Sequence, residues 1–248
     1  MKHILFTLLI ISIYSCKEDA NTKSQDLSAS VIIDNAVEKA GGNILDTATV
    51  SFRFRDRFYR ARRDNGLYEL ERCTDAACKD TLDQLTNSDF KRFINEKQIK
   101  LADSLVAGLS GSVNSVHYFS VLPYGLDAEA VQAKKIGVDT INGKTYYEVH
   151  VSFAEDGGGE DFEDEYMYWF NTENFEIDYL AYNYHVNEGG TRFREAINPR
   201  IVNGVRFVDY INYEPETTFP PLEDLDSLFQ AGKLKELSRI ILEDLQVN

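Results

Sequence analysis

The chain has 248 residues, 43% of them hydrophobic and 12% aromatic, and carries 41 acidic against 26 basic side chains for a formal charge of -15. Such acidity excludes an electrostatic grip on nucleic-acid phosphates and extended docking on anionic headgroups. The hydrophobic share is enough for one sizeable core.

Lys2-His3 follows the initial methionine, and the apolar run over 4–14 contains only Thr7 and Ser12 as aliphatic hydroxyl residues before it ends at Ser15-Cys16. That run is short of the roughly 20 residues a spanning helix needs. A cationic start, a short apolar stretch and a small residue before the cut predict a signal peptide over 1–15. Cys16, placed directly after Ser15, predicts bacterial lipoprotein processing with Cys16 as the acylated first mature residue, an ordinary secretory signal being the alternative. The expected product is anchored to a membrane by lipid and does not span it. Residues 16–25 then read as a lipidated tether, in which Lys17-Glu18-Asp19 resembles the Lys-acid-acid export tag of surface lipoproteins. The expected location is the outer membrane, facing either the periplasm or the cell exterior.

One domain is expected over 26–248, because no repeat or linker interrupts it. Leu27, Val31, Ile32, Ala36, Val37 and Ala40 fall at helical spacing and stop at Gly41-Gly42. From Thr49 the period changes to two, Phe52, Phe54 and Phe58 alternating with Arg53, Arg55 and Arg57, up to the hairpin signal Asp64-Asn65-Gly66. With Asn65-Gly66 as a two-residue loop, Arg62 faces Glu69 and Arg60 faces Glu71. The Arg53, Arg55 and Arg57 stripe reads as a solvated strand face or as an anion-binding one, and no ligand is assigned to it.

With Cys16 assigned to lipid, Cys73 and Cys78 remain, in CTDAAC. An oxidising compartment permits a disulfide across this short loop, whereas a zinc site would need a second Cys/His pair that is not nearby. Residues 112–123, SVNSVHYFSVLP, read as a helix ended by proline, and Asp127 as the cap of a short helix reaching Val131. Strands are expected over 138–141, 145–153, 166–170, 175–186, 191–197 and 205–213, with turns at Asn142-Gly143, residues 171–174 and Asn203-Gly204. Leu222, Leu225 and Phe229 mark a last helix before a strand ending near Val247. Runs of strands broken by a few helices indicate an α+β domain with a large antiparallel sheet.

The order of helix, paired strands and crossing helices, followed by GKTYYEVHV and the hairpin MYWFNTENFEIDYL, resembles lipoprotein carriers of the LolA/LolB type. More specifically, VNSVHYFSVLPYGL, YLAYNYHVNEGGTRFREAINPR and VNGVRFVDYINY resemble an uncharacterised family of bacterial lipoproteins bearing a domain of unknown function. The resemblance implies a sheet curved into a half-open barrel with helices covering its mouth. It supplies no catalytic residues.

The acidic stretch AEDGGGEDFEDE, residues 154–165, offers oxygen ligands but lacks EF-hand spacing, and reads as a solvated hairpin loop. His117, His150 and His185 occur without a Gly-x-Ser-x-Gly elbow, and His117, Ser115 and Asp209 form no recognisable triad motif. In residues 189–213, the Asn203-Gly204 turn would set Asn198 opposite Asp209 and place Arg192, Arg194 and Arg200 on one face with Phe207, Ile211 and Tyr213. Charges among aromatics must be paired, exposed, or lining a polar-mouthed cavity. Tyr166, Tyr168, Trp169, Phe170, Tyr179, Tyr182 and Tyr184 form either rigid walls for a ligand or an ordinary packed core.

The expected function is therefore that of an anchored cell-envelope lipoprotein binding an apolar or amphipathic ligand, or a lipoprotein, in the half-barrel. Tyr168, Trp169, Tyr182, Tyr184, Arg192, Arg194 and Tyr213 are the expected ligand-binding residues. No catalytic residue, metal ligand or cofactor is assigned, and nucleic acid is not an expected partner. The alternatives are a surface protein-interaction module and a hydrolase using His117.

Overall fold

Ser28 starts the first helix by accepting the N–H of Val31 on its hydroxyl at 3.4 Å, and Gly41 ends it at φ 84°. In this computed structural model, which describes residues 27–157, 163–185 and 189–248, that helix is α1 (Ala29–Lys39). Glycine is needed at position 41, since a Cβ there would sit 2.4 Å from the Gly204 carbonyl oxygen. The short α2 (Gly42–Leu45) follows.

Fourteen strands among the described residues form two antiparallel seven-stranded sheets. The first contains β1 (Thr49–Phe54), β2 (Arg57–Asp64), β3 (Leu67–Cys73), β4 (Thr81–Thr86), β5 (Phe90–Ile94) and β6 (Lys97–Ile99). After α3 (Asp103–Ser120), the second contains β7 (Val131–Ile141), β8 (Lys144–Phe153), β9 (Glu165–Asn171), β10 (Ile177–Tyr184), β11 (Gly190–Val202) and β12 (Val205–Pro215). A single 3₁₀ turn (Leu222–Asp224) leads into α4 (Leu225–Gln230). Then β13 (Leu234–Ile240) joins the second sheet beside β12, and β14 (Glu243–Val247) returns to pair with β1. The architecture is α+β, with sheets curved into an open half-barrel and not closed. No helix among the described residues is long and apolar enough to cross a membrane.

The Asn65-Gly66 hairpin forms in the expected register, Arg60 opposite Glu71 and Arg62 opposite Glu69. Both arginines reach Glu71, which is buried. The Phe/Arg alternation, by contrast, is not one strand. Arg55, at φ 55°, and Asp56 make a turn that sets Phe54 opposite Arg57, so Arg53, Arg55 and Arg57 do not share a strand face. Short polar strands β4 and β5 were not expected from the sequence; buried Asp83 pins them by accepting from Arg72 of β3 and Arg92 of β5. Burial by itself would raise this carboxyl, and the two guanidinium groups outweigh that and hold it low.

Other boundaries differ as well. α3 begins at Asp103, well before residue 112. No helix forms from Asp127, because the chain turns over 122–130 and enters β7 at Val131. Cys73 and Cys78 are disulfide-bonded, with an S–S distance of 2.02 Å.

α3 ties the two sheets together. Val113 packs on Ala61 and Leu70 of the first sheet. Tyr118 and Phe119 pack against the core of the second, where α1 also buries Ile32, Ile33 and Ala36. His117 Nε2 lies 3.0 Å from the Glu71 carbonyl on β3, and the Tyr118 and Tyr168 hydroxyls are 2.8 Å apart. The opposite face of the second sheet carries Met167, Trp169, Tyr179 and Phe193 and is covered by Leu222, Leu225 and Phe229.

Candidate functional site

Alternate residues of paired strands share a sheet face. Tyr166 of β9 stands opposite Tyr182 of β10, and Tyr182 opposite Arg192 of β11. Arg194 stands opposite Asn212 of β12. This row faces α3, which presents Ala107, Gly108, Gly111, Ser112 and Ser115, side chains too small to fill the space between helix and sheet. A cavity of about 1040 Å³ results, with Phe54 of β1, Phe119 of α3 and Ile240 of β13 also in its wall. Its size matches the upper end of ligand pockets, about 1,000 Å³.

Three arginines line it, Arg55 at the turn after β1, its guanidinium 4.9 Å from the Phe54 ring centroid, and Arg192 and Arg194 on the sheet wall. Arg194 is only 8% exposed; its guanidinium lies 3.8 Å from the Phe119 ring centroid and donates to the Tyr182 hydroxyl at 2.8 Å, leaving Nε without a partner. Arg192 donates to the Tyr184 hydroxyl at 2.7 Å and to the Thr191 carbonyl at 2.8 Å. Neither makes a salt bridge with a carboxylate among the described residues, in contrast to Arg60, Arg72, Arg92, Arg200 and Arg206. Asp164 also lines the cavity, and its Oδ1 lies 3.4 Å from His185 Nδ1. Burial pushes the Tyr210 hydroxyl up to about 12 against the pull of Arg194 and Arg206, so this wall residue is neutral at physiological pH. The arrangement offers an aromatic-lined chamber with two fixed cations on one wall.

Of the residues expected to bind ligand, Tyr182, Tyr184, Arg192 and Arg194 line this cavity. Tyr168 is on the same face but fully buried beneath α3, bonded to Tyr118. Trp169 and Tyr213 project from the opposite face and do not reach the cavity. Trp169 follows from strand alternation. Tyr213 is displaced from its expected face by a bulge: β11 loses register between Ile197 and Arg200, at Asn198 (φ 50°) and Pro199. Past the bulge Phe193 faces Tyr213 and Arg194 faces Asn212, so the two arginines move to the other face from Tyr213. Asn198 still donates to Asp209, at 3.0 Å, and Arg200 pairs with the same carboxylate.

The small residues of α3 and its Phe119, with Phe54 and Tyr210, belong to the cavity although sequence reasoning does not single them out. Spacing of Gly108, Gly111, Ser112 and Ser115 along one helix face is the available signal.

His117 has no route to a substrate. It is buried against Phe52 and Tyr59, and desolvation lowers its pKa to about 3, against the opposing effect of its bond to the Glu71 carbonyl. Ser115 donates to Ser112 and Asp209 is held by Arg200, so the three do not converge. His150 Nε2 lies 3.9 Å from Glu165 Oε1 on a half-buried strand face. Part of the acidic stretch, residues 158–162, lies outside the described residues, as do Cys16 and everything before residue 27. Asp139, Glu148 and Asp226 bring three carboxylates together on the sheet face away from the cavity.

A half-open barrel with a chamber under its bridging helix is the class these features define. The chain belongs to the family of unknown function DUF6503, whose profile matches residues 2–243. None of the curated proteins compared matches it in sequence. Among solved structures, a DUF1329 family protein from Desulfovibrio piger superposes with a TM-score of 0.51 at 9% identity, over 88% of this chain and 92% of that one. A LolA superfamily protein from Nitrosomonas europaea gives 0.48 at 11% identity, over 90% and 92% of the two chains. A lipoprotein-sorting protein domain from Vibrio parahaemolyticus, its outer-membrane role given as putative, gives 0.45 at 9% identity, over 87% and 92%. At such identity the likeness is one of fold.

Proposed function

We propose that this protein is an anchored envelope lipoprotein that holds an amphipathic ligand, its apolar chain in the cavity and an anionic head group at Arg192 and Arg194, without covalent chemistry. One observation carries the reading: on the sheet wall of an aromatic cavity stand two guanidinium groups, Arg192 and Arg194, and neither has a carboxylate partner among the described residues. A buried charge is costly unless paired, and guanidinium matches carboxylate or phosphate in a bidentate fork. In so acidic a chain an internal partner was easy to supply, and a ligand anion completes the pairing instead. The acyl chains of a lipoprotein suit the same cavity but bring no anion, which distinguishes the two cargoes.

The anchor belongs to the same proposal. Residues 1–15 are read as a signal peptide, Cys16 as the acylated residue, 16–25 as a tether and 26–248 as one half-barrel domain at the outer membrane, on its periplasmic or outer side. Fractionation of Cys16→Ala tests this: the variant leaves the membrane, and retention there without acyl chains refutes the anchor.

For the cavity, native mass spectrometry of residues 26–248 is the deciding measurement. An amphiphile bearing a carboxylate or phosphate is expected to co-purify, and the Arg192→Met/Arg194→Met double variant to release it. A neutral lipid retained equally by both proteins overturns the head-group assignment. Protein that purifies empty favours a surface interaction module.

A further inference from the structure

On the face of the second sheet away from the cavity, Glu148 of β8 stands opposite Trp169 of β9 and opposite Gly137 of β7. A Cβ at Gly137 would lie 2.9 Å from Glu148 Oε2, so glycine makes room for that carboxylate. Asp139, two residues on along β7, extends the same face, and α4 lowers Asp226 onto it from above. One oxygen from each of the three lies within 4.8 Å of the others. We propose that Asp139, Glu148 and Asp226 form a binding site for a hard divalent cation such as calcium, by their all-oxygen ligand set, that fastens α4 to the sheet.

The geometry is that of an oxygen cage. Calcium takes carboxylate oxygens at about 2.4 Å, so ligands on opposite sides of the ion are about 4.8 Å apart. Three oxygens within that limit surround the ion with little movement, and the remaining positions go to water on the half-exposed Asp139 side. Proximity of acids is not the whole argument. Asp226 is 1% exposed, and its Oδ2 has no hydrogen-bond partner although Oδ1 accepts the Ser227 N–H at 2.5 Å. Buried carboxylate oxygens are seldom left so. No lysine or arginine makes a salt bridge with any of the three among the described residues. The indole N–H of Trp169 lies against Glu148 and meets no acceptor at full hydrogen-bond geometry, so it does not neutralise the group. No lysine or arginine among the described residues pairs with the cluster, and one buried Asp226 oxygen in it is left without a hydrogen-bond donor.

Trp169 is the single tryptophan of the chain and adjoins the site, which makes it a local reporter. Protein stripped with EDTA is titrated with terbium and then with calcium, following tryptophan-sensitised terbium emission and the thermal midpoint. Sensitised emission that calcium displaces, together with a calcium-dependent rise in midpoint, is expected. Asp226→Asn and, independently, Glu148→Gln are expected to weaken both responses at least tenfold. Absence of any response in the wild type up to about 10 mM calcium, above the weakest extracellular calcium modules, overturns the proposal. So does a response unchanged in both variants, which would place the ion elsewhere, such as the acidic stretch 154–165. A midpoint that rises in Asp226→Asn without calcium, while the wild type ignores the ion, overturns it too and shows that the carboxyls share protons instead.

Discussion

Gly108 of α3 lines the cavity, and nothing lies within 4 Å of the position its Cβ would take. Replacing it by leucine therefore pushes two quantities in opposite directions. A glycine inside a helix costs about 0.8 kcal/mol relative to leucine, and the added side chain meets open space, so Gly108→Leu is expected to stabilise the fold by that amount. For a domain of this size the thermal midpoint rises by about 2–3 °C. The same four carbons occupy volume that an apolar chain would fill. Excluding about three methylenes at about 0.8 kcal/mol each weakens ligand binding by about 2.4 kcal/mol, roughly 60-fold in Kd. Differential scanning fluorimetry and displacement of a fluorescent fatty acid measure the two effects on the same sample. A higher midpoint with unchanged binding refutes occupation of this cavity by the chain. A lower midpoint refutes the open space beside α3.

His117 predicts acid lability in a defined window. Its folded pKa of about 3 lies below the ordinary 6.5, so the unfolded chain takes up a proton first as pH falls, and the stability present above pH 6.5 is lost progressively below it. The slope grows from about 0.7 kcal/mol per pH unit at pH 6.5 toward about 1.4 near pH 5, above the range where most carboxylates titrate. Burial raises the Asp226 carboxyl to about 7, which opposes this slope in the wild type. The measured quantity is therefore the difference in urea-unfolding free energy between wild type and His117→Gln, which should carry the slope; parallel curves would sink the argument. The Cys73–Cys78 bridge joins cysteines at a sequence separation of 5, worth about 2 kcal/mol in chain entropy. Cys73→Ala/Cys78→Ala is expected to lower the urea midpoint accordingly, and an unchanged midpoint would mean the bridge constrains nothing in the unfolded chain.

Legibility along the chain follows how local each decision is. Asn65-Gly66 forces a hairpin through its own backbone preferences, so the Arg60–Glu71 and Arg62–Glu69 pairs are legible in the sequence itself. The turn at Arg55-Asp56 is not, because neither residue signals it and the Phe/Arg alternation runs straight through. Likewise β4 and β5 have little apolar period of their own; they form because Asp83 finds Arg72 and Arg92 on neighbouring strands. Tyr182, Tyr184, Arg192 and Arg194 stand out by their chemistry, whereas the small residues of α3 that hold the cavity open have no chemistry to notice.

From the sequence alone came the antiparallel α+β character, the glycine stop after α1, the period-two aromatics of β9 and β10, and the excess of acid. These depend on torsional preferences and on neighbours a few residues away. Tertiary structure decided which face each side chain occupies and what covers it. The bulge at Asn198-Pro199 turned Arg192 and Arg194 toward α3 and left Tyr213 under α4. Packing of α4 on the sheet brought Asp226 onto Glu148, two residues with no sequence relation. A one-residue slip leaves the local pattern nearly intact and reverses every face beyond it, and only burial against distant helices selects between the two registers.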